Sequence, residues 1–186
     1  MKKEARILGI DDASFDKHKD KEVLVIGTMY RGGDFMDGLV SCWVTKDGND
    51  STEKISEMIN KSKFKPQLQL IMLDGIAVGG FNVVDLKELS IKTGLPVINV
   101  IRNYPDYKKI FSALKKIGQE EKIKLIEKAG EVHKVNDIYV QLTGISLEDA
   151  KEFLRISCVR GNYPEPIRIA HLIGSGIIAG ESHGRA

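Results

Sequence analysis

Residues 69–81 place an acidic side chain directly after an apolar run and follow it with glycines. The stretch is QLIMLDGIAVGGF. Residues 70–73 are uninterruptedly apolar, which is typical of a strand buried on both faces of a sheet. Asp74 follows this run, and burial disfavours the charged form of a carboxylate unless a cation or hydrogen-bond donors compensate. Two interpretations remain open: Asp74 is a metal ligand at the carboxyl edge of a central strand, or it caps the following turn.

The glycines after Asp74 allow the backbone to approach whatever that carboxylate holds. Residues 79–82, GGFN, form a turn whose backbone N–H groups would lie beside the carboxyl edge of this strand. Such donors are suited to contacting a ligand at that edge. The candidate substrate-binding residues are therefore Gly75, Gly79, Gly80, Phe81 and Asn82.

Composition bounds the fold and the classes of function. The 186 residues predict one domain over 1–186, and 29% charged with 42% hydrophobic residues is typical of a globular protein. No apolar run approaches the length of a membrane span, and the expected location is the cytoplasm. A net charge of +2 permits nucleic-acid binding without requiring it. Cys42 and Cys158 are isolated, which argues against structural zinc.

The first 44 residues predict three strands. Residues 5–11 end in the acidic pair Asp11 and Asp12, and residues 23–30 and 35–44 are β-rich and joined by a short glycine-containing connection. Short connections between successive strands indicate an antiparallel meander.

The rest of the chain alternates helices and strands. Asp50 or Ser51 is positioned to cap a first helix, residues 82–93 predict a helix ended by Gly94, and residues 95–101 predict a buried strand. This order is typical of a parallel βαβ unit, so the fold class is α/β with a mixed sheet flanked by helices. Further helices are predicted over 105–116, 119–129, 146–154 and from Pro164 onward, with a hairpin over 131–142.

Acidic residues at strand ends and in one turn suggest a metal centre. They are Asp11, Asp12, Asp74 and an acid from the turn that contains Asp47 and Asp50. Converging carboxylates repel one another in a low dielectric, and divalent cations relieve that repulsion. Oxygen ligands without clustered Cys or His favour Mg²⁺ or Mn²⁺. The matching chemistry is phosphodiester hydrolysis.

Several motifs, in order along nearly the whole chain, resemble the endonuclease V superfamily and more closely its sister group, the endonuclease dU family. They are GIDDASF at 9–15, DGNDST at 47–52, LDGIAVGGFNVVD at 73–85, GLPVINVIRN at 94–103 and YPEPIRIAH at 163–171. The resemblance implies an RNase H-like fold and magnesium-dependent incision of DNA beside a deaminated base.

The resemblance also implies individual roles. Asp11 and Asp74 match two metal-binding aspartates, and Asp50, with Asp47 as the alternative, matches an acid between them. Arg102 stands where endonuclease V has a lysine near the scissile phosphate, and a guanidinium could hold that phosphate through two hydrogen bonds. His171 matches a histidine that acts as general base or positions water.

Phe35 lies near the position expected for the wedge of endonuclease V, although the prolines of that motif are missing. An apolar residue that opens a strand is also a common core residue. Both interpretations stay open.

The sequence thus predicts a metal-dependent endonuclease acting on DNA that carries uracil or hypoxanthine. The alternatives are an endonuclease for inosine-containing RNA, a nucleotide-binding protein suggested by GIAVGG, and a nucleic-acid-binding module without catalysis. The oligomeric state has no signal in the sequence.

Overall fold

The computed structural model describes residues 4–183, which form nine strands and six α-helices. The strands are β1 (Arg6–Asp12), β2 (Glu22–Arg31), β3 (Phe35–Thr45), β4 (Leu70–Asp74), β5 (Ala77–Val78), β6 (Asn82–Val83), β7 (Val97–Ile101), β8 (His133–Val135) and β9 (Ile138–Thr143). The helices are α1 (Ser51–Lys61), α2 (Leu86–Thr93), α3 (Tyr107–Lys116), α4 (Glu121–Lys128), α5 (Leu147–Ser157) and α6 (Glu165–Ala179).

A seven-stranded mixed sheet carries the fold, in the order β3-β2-β1-β4-β7-β9-β8. β1, β2 and β3 pair antiparallel, whereas β4 pairs parallel with both β1 and β7. β9 returns antiparallel beside β7, and β8 closes that side of the sheet. The predicted meander followed by a parallel βαβ unit is confirmed.

The central strand β4 is buried on both faces, as its apolar sequence predicts. Leu70 and Met72 pack in a core with α5 and α6, whereas Ile71 and Leu73 pack in a second core with α1 and α2. This alternation follows from the two-residue period of a strand. Between residues 4 and 183, no helix is long and apolar enough to cross a membrane.

The predicted helix over 82–93 is wrong at its start. Asn82–Val83 instead pairs with Ala77–Val78 in a separate two-stranded ribbon, and α2 begins only at Leu86. The Asp85 carboxylate accepts hydrogen bonds from the backbone N–H groups of Lys87 and Glu88, which is the N-cap arrangement. Gly94 ends α2 in the left-handed region, as predicted.

The C-terminal helix α6 packs directly against β1 because Gly9 has no side chain. A Cβ at Gly9 would lie 2.3 Å from the carbonyl carbon of Pro166 and 2.5 Å from the nitrogen of Ile167. The Thr28 hydroxyl on neighbouring β2 donates to the Pro166 carbonyl at 2.6 Å and anchors the same turn. This close approach sets where α6 lies relative to the acidic end of β1.

We expect Gly9→Ala to lower the free energy of unfolding by about 3 kcal/mol, the upper end of the usual cost of overpacking, because the added methyl meets backbone atoms. Urea denaturation measures the change. Gly176→Ala in α6 is the matched control, since the nearest atom to its Cβ would be Ser182 Oγ at 3.5 Å. That control should gain up to about 1 kcal/mol from helix propensity. Equal urea midpoints for the two variants would contradict the packing argument.

Candidate active site

Two aspartates emerge side by side because β1 and β4 run parallel. The parallel register pairs Ile10 with Leu73, and Asp11 and Asp74 are the next residues on each strand. Asp11 is 5% exposed, and Asp12 follows it as the last residue of β1. The acidic ends of the two strands therefore share one edge of the sheet.

Asp11 is bound to His171 of α6. The distance between Asp11 Oδ2 and His171 Nδ1 is 2.9 Å. Burial raises the pKa of Asp11 to about 7, although the contact with His171 opposes that rise. The same hydrogen bond raises the pKa of His171 above its ordinary value. The pair is therefore suited to sharing one proton near neutral pH.

Asp12 belongs to the same cluster. Its backbone N–H donates to Asp11 Oδ1 at 2.8 Å, and its Oδ2 accepts from the Gly79 N–H at 2.7 Å. Burial raises its pKa, and the charge of Asp74 adds to the rise. Gly79 thus reaches the acidic edge as the sequence predicted, but it donates to a protein carboxylate.

Asp74 is held by Tyr163, the residue just before the turn into α6. The Tyr163 hydroxyl donates to Asp74 Oδ1, and the Arg102 guanidinium lies over the Tyr163 ring with its Cζ 3.7 Å from the ring centroid. Burial raises the pKa of Asp74, while Tyr163 and Arg102 pull it down. Arg102 therefore lies beside the acidic edge, as predicted from the end of β7.

Tyr163 is a functional candidate that the sequence argument missed. Its only signal was its place at the start of the YPEPIRIAH motif, since a lone tyrosine before a proline is also an ordinary helix-entry residue. Burial and the adjacent Asp74 raise the pKa of its hydroxyl, so it stays a hydrogen-bond donor at neutral pH.

Asp11, Asp12, Asp74 and His171 border a cavity of about 720 Å³, hereafter the carboxylate cavity. It is lined by Asp11, Asp12, Ala13, Ser14, Phe15, Lys17, Asp74, His171, Ser175, Ala179 and His183. In the part of the chain that the structure describes, no three His, Cys, Asp or Glu side chains are already arranged to hold a metal ion. Asp11, Asp12 and Asp74 nevertheless supply the hard oxygen donors that fit Mg²⁺ or Mn²⁺.

Asp47 and Asp50, the two candidates for a further carboxylate, do not line the carboxylate cavity. Asp47 Oδ1 accepts from the Phe81 N–H at 2.8 Å. Asp50 accepts hydrogen bonds from Thr45 and from the Asn82 amide, whose Nδ2 is 2.6 Å away. Burial alone would raise the pKa of Asp50, but these hydrogen bonds outweigh it and lower the pKa. A metal-binding role for either residue stays a prediction, and each would have to leave these partners to fill it.

The turn at residues 79–82 is held in place by hydrogen bonds to other parts of the chain. Asn82 is fully buried, donates to the Thr45 carbonyl and accepts from the Ser51 N–H. Lys122 is also buried, and its Nζ donates to the carbonyls of Asp47, Gly48 and Phe81 at 2.6–2.8 Å. The Gly79 N–H donates to Asp12 and the Phe81 N–H donates to Asp47, so both backbone donors are already used within the chain.

Phe35, the candidate wedge, lies at the opposite edge of the sheet. It pairs with Arg31, which pairs in turn with Arg6 at the start of β1. Its side chain is 62% exposed, so it is not a core residue. The structure does not bring it to the carboxylate cavity, and a role as wedge stays a prediction.

Comparison with known proteins supports the fold. A solved structure of a protein of unknown function from Archaeoglobus fulgidus matches with a TM-score of 0.87 and 39% identity over 97% of this chain and 99% of that one. Endonuclease V from Ciona intestinalis, solved with DNA containing an inosine followed by a ribo-adenosine, matches with a TM-score of 0.55 and 16% identity over 89% of this chain and 82% of that one. The predicted RNase H-like fold is confirmed.

The sequence comparisons agree on one family. A protein designated UPF0215 from Methanothermobacter thermautotrophicus is 49% identical over 191 residues, covering 100% of this chain and 94% of its own length. The sequence model described as Endonuclease dU matches residues 3–178. Because that match spans nearly the whole chain, the protein belongs to the endonuclease dU family.

Proposed function

We propose that this chain is a divalent-metal-dependent endonuclease that hydrolyses a phosphodiester bond of DNA near a deaminated base. The observation that carries the proposal is the cluster of Asp11, Asp12 and Asp74 at one sheet edge. Asp11 is buried, Asp12 and Asp74 are partly buried, and the pKa of each carboxylate is raised. Clustered buried carboxylates are costly in a fold and are typical of functional sites. Family membership and the endonuclease V fold support a nuclease of this type.

The three carboxylates are the proposed ligands of Mg²⁺ or Mn²⁺. When bound, such an ion polarises a phosphoryl oxygen and activates a water. Asp11, Asp12 and Asp74 would each turn an oxygen toward it, sharing or replacing the hydrogen bonds from His171, Gly79 and Tyr163.

His171 and Arg102 have complementary roles in the proposal. His171 keeps Nδ1 on Asp11, so its Nε2, which lies 3.4 Å from the His183 carbonyl, can hold or release the proton that the reaction moves. Arg102 holds the scissile phosphate through its guanidinium, and stacking on Tyr163 fixes the plane of that group. Tyr163 thereby positions both Arg102 and Asp74.

The proposed substrate is DNA carrying uracil or hypoxanthine. The family description supports a deoxyuridine substrate, and the inosine-containing DNA bound to the Ciona endonuclease V supports a deaminated base. Inosine-containing RNA is the second candidate, because the DNA in that complex carries a ribo-adenosine after the inosine.

Incision assays test the proposal directly. DNA oligonucleotides carrying a single uracil, hypoxanthine or xanthine, and an RNA carrying inosine, are incubated with the full chain with and without Mg²⁺. We expect magnesium-dependent incision of at least one modified strand and none of the unmodified control. Absence of incision on every strand would overturn the proposed function.

Asp74→Asn should abolish metal-dependent incision while leaving the fold intact. The amide oxygen can still accept from Tyr163, but the ligand charge is lost and repulsion with Asp11 and Asp12 is relieved. Single-turnover incision and thermal unfolding measure the two effects. Asp149→Asn, on the exposed first turn of α5, is the matched control and should cut normally. A folded Asp74→Asn variant that cuts at the wild-type rate would exclude Asp74 as a required ligand.

Stability of the metal-free protein should fall as the pH rises toward neutrality. Asp11 titrates at about 7 in the fold against an ordinary 3.8, so between these values the folded state binds more protons than the unfolded chain. The free energy of unfolding then decreases with pH over this window, and the decline continues above it because the pKa of His171 is also raised from its ordinary 6.5. Its measurement by urea denaturation at several pH values should show this decline in wild type and a flatter curve in Asp11→Asn.

Magnesium should oppose that decline, because the ion binds the deprotonated carboxylates. We expect saturating Mg²⁺ to raise the unfolding temperature of the wild type more at about pH 8 than at about pH 6. In Asp11→Asn, Mg²⁺ should not raise the unfolding temperature at either pH. An equal magnesium effect in the two proteins would place the ion elsewhere.

Arg102 variants separate phosphate binding from a structural role. Arg102→Lys keeps the charge and should retain part of the rate, whereas Arg102→Met should lose about a hundredfold or more, roughly 3 kcal/mol of transition-state stabilisation. Single-turnover incision at saturating Mg²⁺ compares the two. Arg31→Met, at the opposite edge of the sheet, is the control and should leave the incision rate unchanged. Equal rates in all variants would show that Arg102 takes no part in the chemistry.

A further inference from the structure

A second cavity, of about 290 Å³, begins where the carboxylate edge ends. Gly75, which follows Asp74, and Ile101, which precedes Arg102, both line it. Most of its wall is apolar and is formed by side chains of β5, β6, α3 and α4, including the rings of Phe81 and Tyr107. We name it the amide cavity, because two buried amides, Asn99 and Gln141, line it.

The two amides lie side by side on neighbouring strands. Asn99 of β7 and Gln141 of β9 are paired in register, and their exposed fractions are 0% and 2%. Asn99 Nδ2 donates to Gln141 Oε1 at 2.9 Å, and Gln141 Nε2 donates to the Gly130 carbonyl at 2.9 Å. Asn99 Oδ1 is buried and has no hydrogen-bond partner among residues 4–183.

The Gly130 carbonyl fixes the orientation of both amides. A carbonyl oxygen only accepts, so the nitrogen of Gln141 must face it and the oxygen of Gln141 must face Asn99. That oxygen in turn requires the nitrogen of Asn99, so the remaining atom is Oδ1. The hydrogen-bonded pair of Asn99 and Gln141, hereafter the relay, therefore has an acceptor, and not a donor, as its unsatisfied group.

A buried acceptor without a partner costs free energy that a ligand carrying a donor would recover. We propose that Asn99 Oδ1 accepts the ring N–H of an extruded deaminated base in the amide cavity, with Gln141 as the positioning residue that sets its polarity. This inference rests on the proposed function, because it assigns the base subsite of the same reaction.

Deamination changes the group that such an acceptor meets. Cytosine and adenine present an unprotonated ring nitrogen next to their amino group, whereas uracil and hypoxanthine carry a hydrogen on that nitrogen. Asn99 Oδ1 would accept a hydrogen bond from the ring N–H of uracil or hypoxanthine. The same oxygen would repel the lone pair on the ring nitrogen of cytosine or adenine. Thymine and guanine keep a ring N–H, so the relay separates a deaminated base from its parent and does not separate uracil from thymine.

The apolar walls suit the rest of a base. Phe81 and Tyr107 supply aromatic surface, and base–aromatic contacts stabilise an unstacked base without regard to its identity. The relay would then provide the selectivity that those walls lack.

The test measures binding and therefore does not depend on cutting. Single-stranded DNA oligonucleotides made otherwise of adenine and cytosine carry one uracil, cytosine or N3-methyluracil at a central position, so that no thymine or guanine competes for the site. Their dissociation constants are measured by fluorescence anisotropy without divalent metal. Wild type should bind the uracil strand roughly tenfold to a hundredfold more tightly than either of the others, because both lack the ring N–H. No preference in wild type would overturn the inference whether or not the protein incises DNA.

Two variants identify the relay as the source of the preference. Asn99→Leu removes the acceptor and should reduce the preference to less than about twofold. Gln141→Leu frees Asn99 to rotate and present Nδ2, so binding of the cytosine strand should strengthen. The Thr143 hydroxyl on β9 is also buried and has no partner in the part of the chain that the structure describes, but it does not line the amide cavity. Thr143→Val should therefore leave the preference unchanged. Melting temperatures verify folding.

The outcomes separate the two proposals. A preference that persists in either folded relay variant would overturn the inference even if wild type incises DNA. A preference that the relay variants lose, in a protein that incises nothing, would support the inference while the proposed endonuclease activity fails.

Discussion

The parallel pairing of β1 with β4 is the constraint on which the candidate site depends, since it brings the acidic ends of two buried strands to one edge. Asp11 and Asp74 lose solvation there, and their mutual repulsion adds to the cost of ionising them. The chain offsets this cost with His171 and the Asp12 backbone N–H at Asp11 and with the Tyr163 hydroxyl at Asp74. These partners also orient the carboxylates, so the geometry of the cluster follows from the hydrogen bonds that make it tolerable.

The two cavities lie against different helices. The carboxylate cavity is walled by α6, which reaches β1 because Gly9 allows the approach. The amide cavity is walled by α3 and α4, and it adjoins the first at the end of β4, where Asp74 lines one cavity and Gly75 lines the other. A nucleotide that spans both would place its phosphate near Arg102 and its base beside Asn99. Chemistry and base selection would then be separable by mutation.

Much of the fold and part of the site could be predicted from the sequence. Apolar runs ending in Asp11, Asp74 and Arg102 are local patterns, and parallel pairing of neighbouring strands is enough to bring their ends together. The contacts of Asp50 and Asn82 could not be predicted, because they depend on how the turn at 79–82 packs against the end of β3. The relay of Asn99 and Gln141 depends on a strand register between residues 42 positions apart, which no local pattern specifies.

Lys122 joins α4 to two segments that are distant in sequence. Its ammonium donates to the carbonyls of Asp47 and Gly48 and to that of Phe81. Its three N–H groups do what a bound alkali or alkaline-earth ion does in many loops, but the cation is covalently attached to α4. A chelator cannot extract it. Removal of an ion from the proposed metal centre by a chelating agent would therefore leave the neighbouring loop assembled.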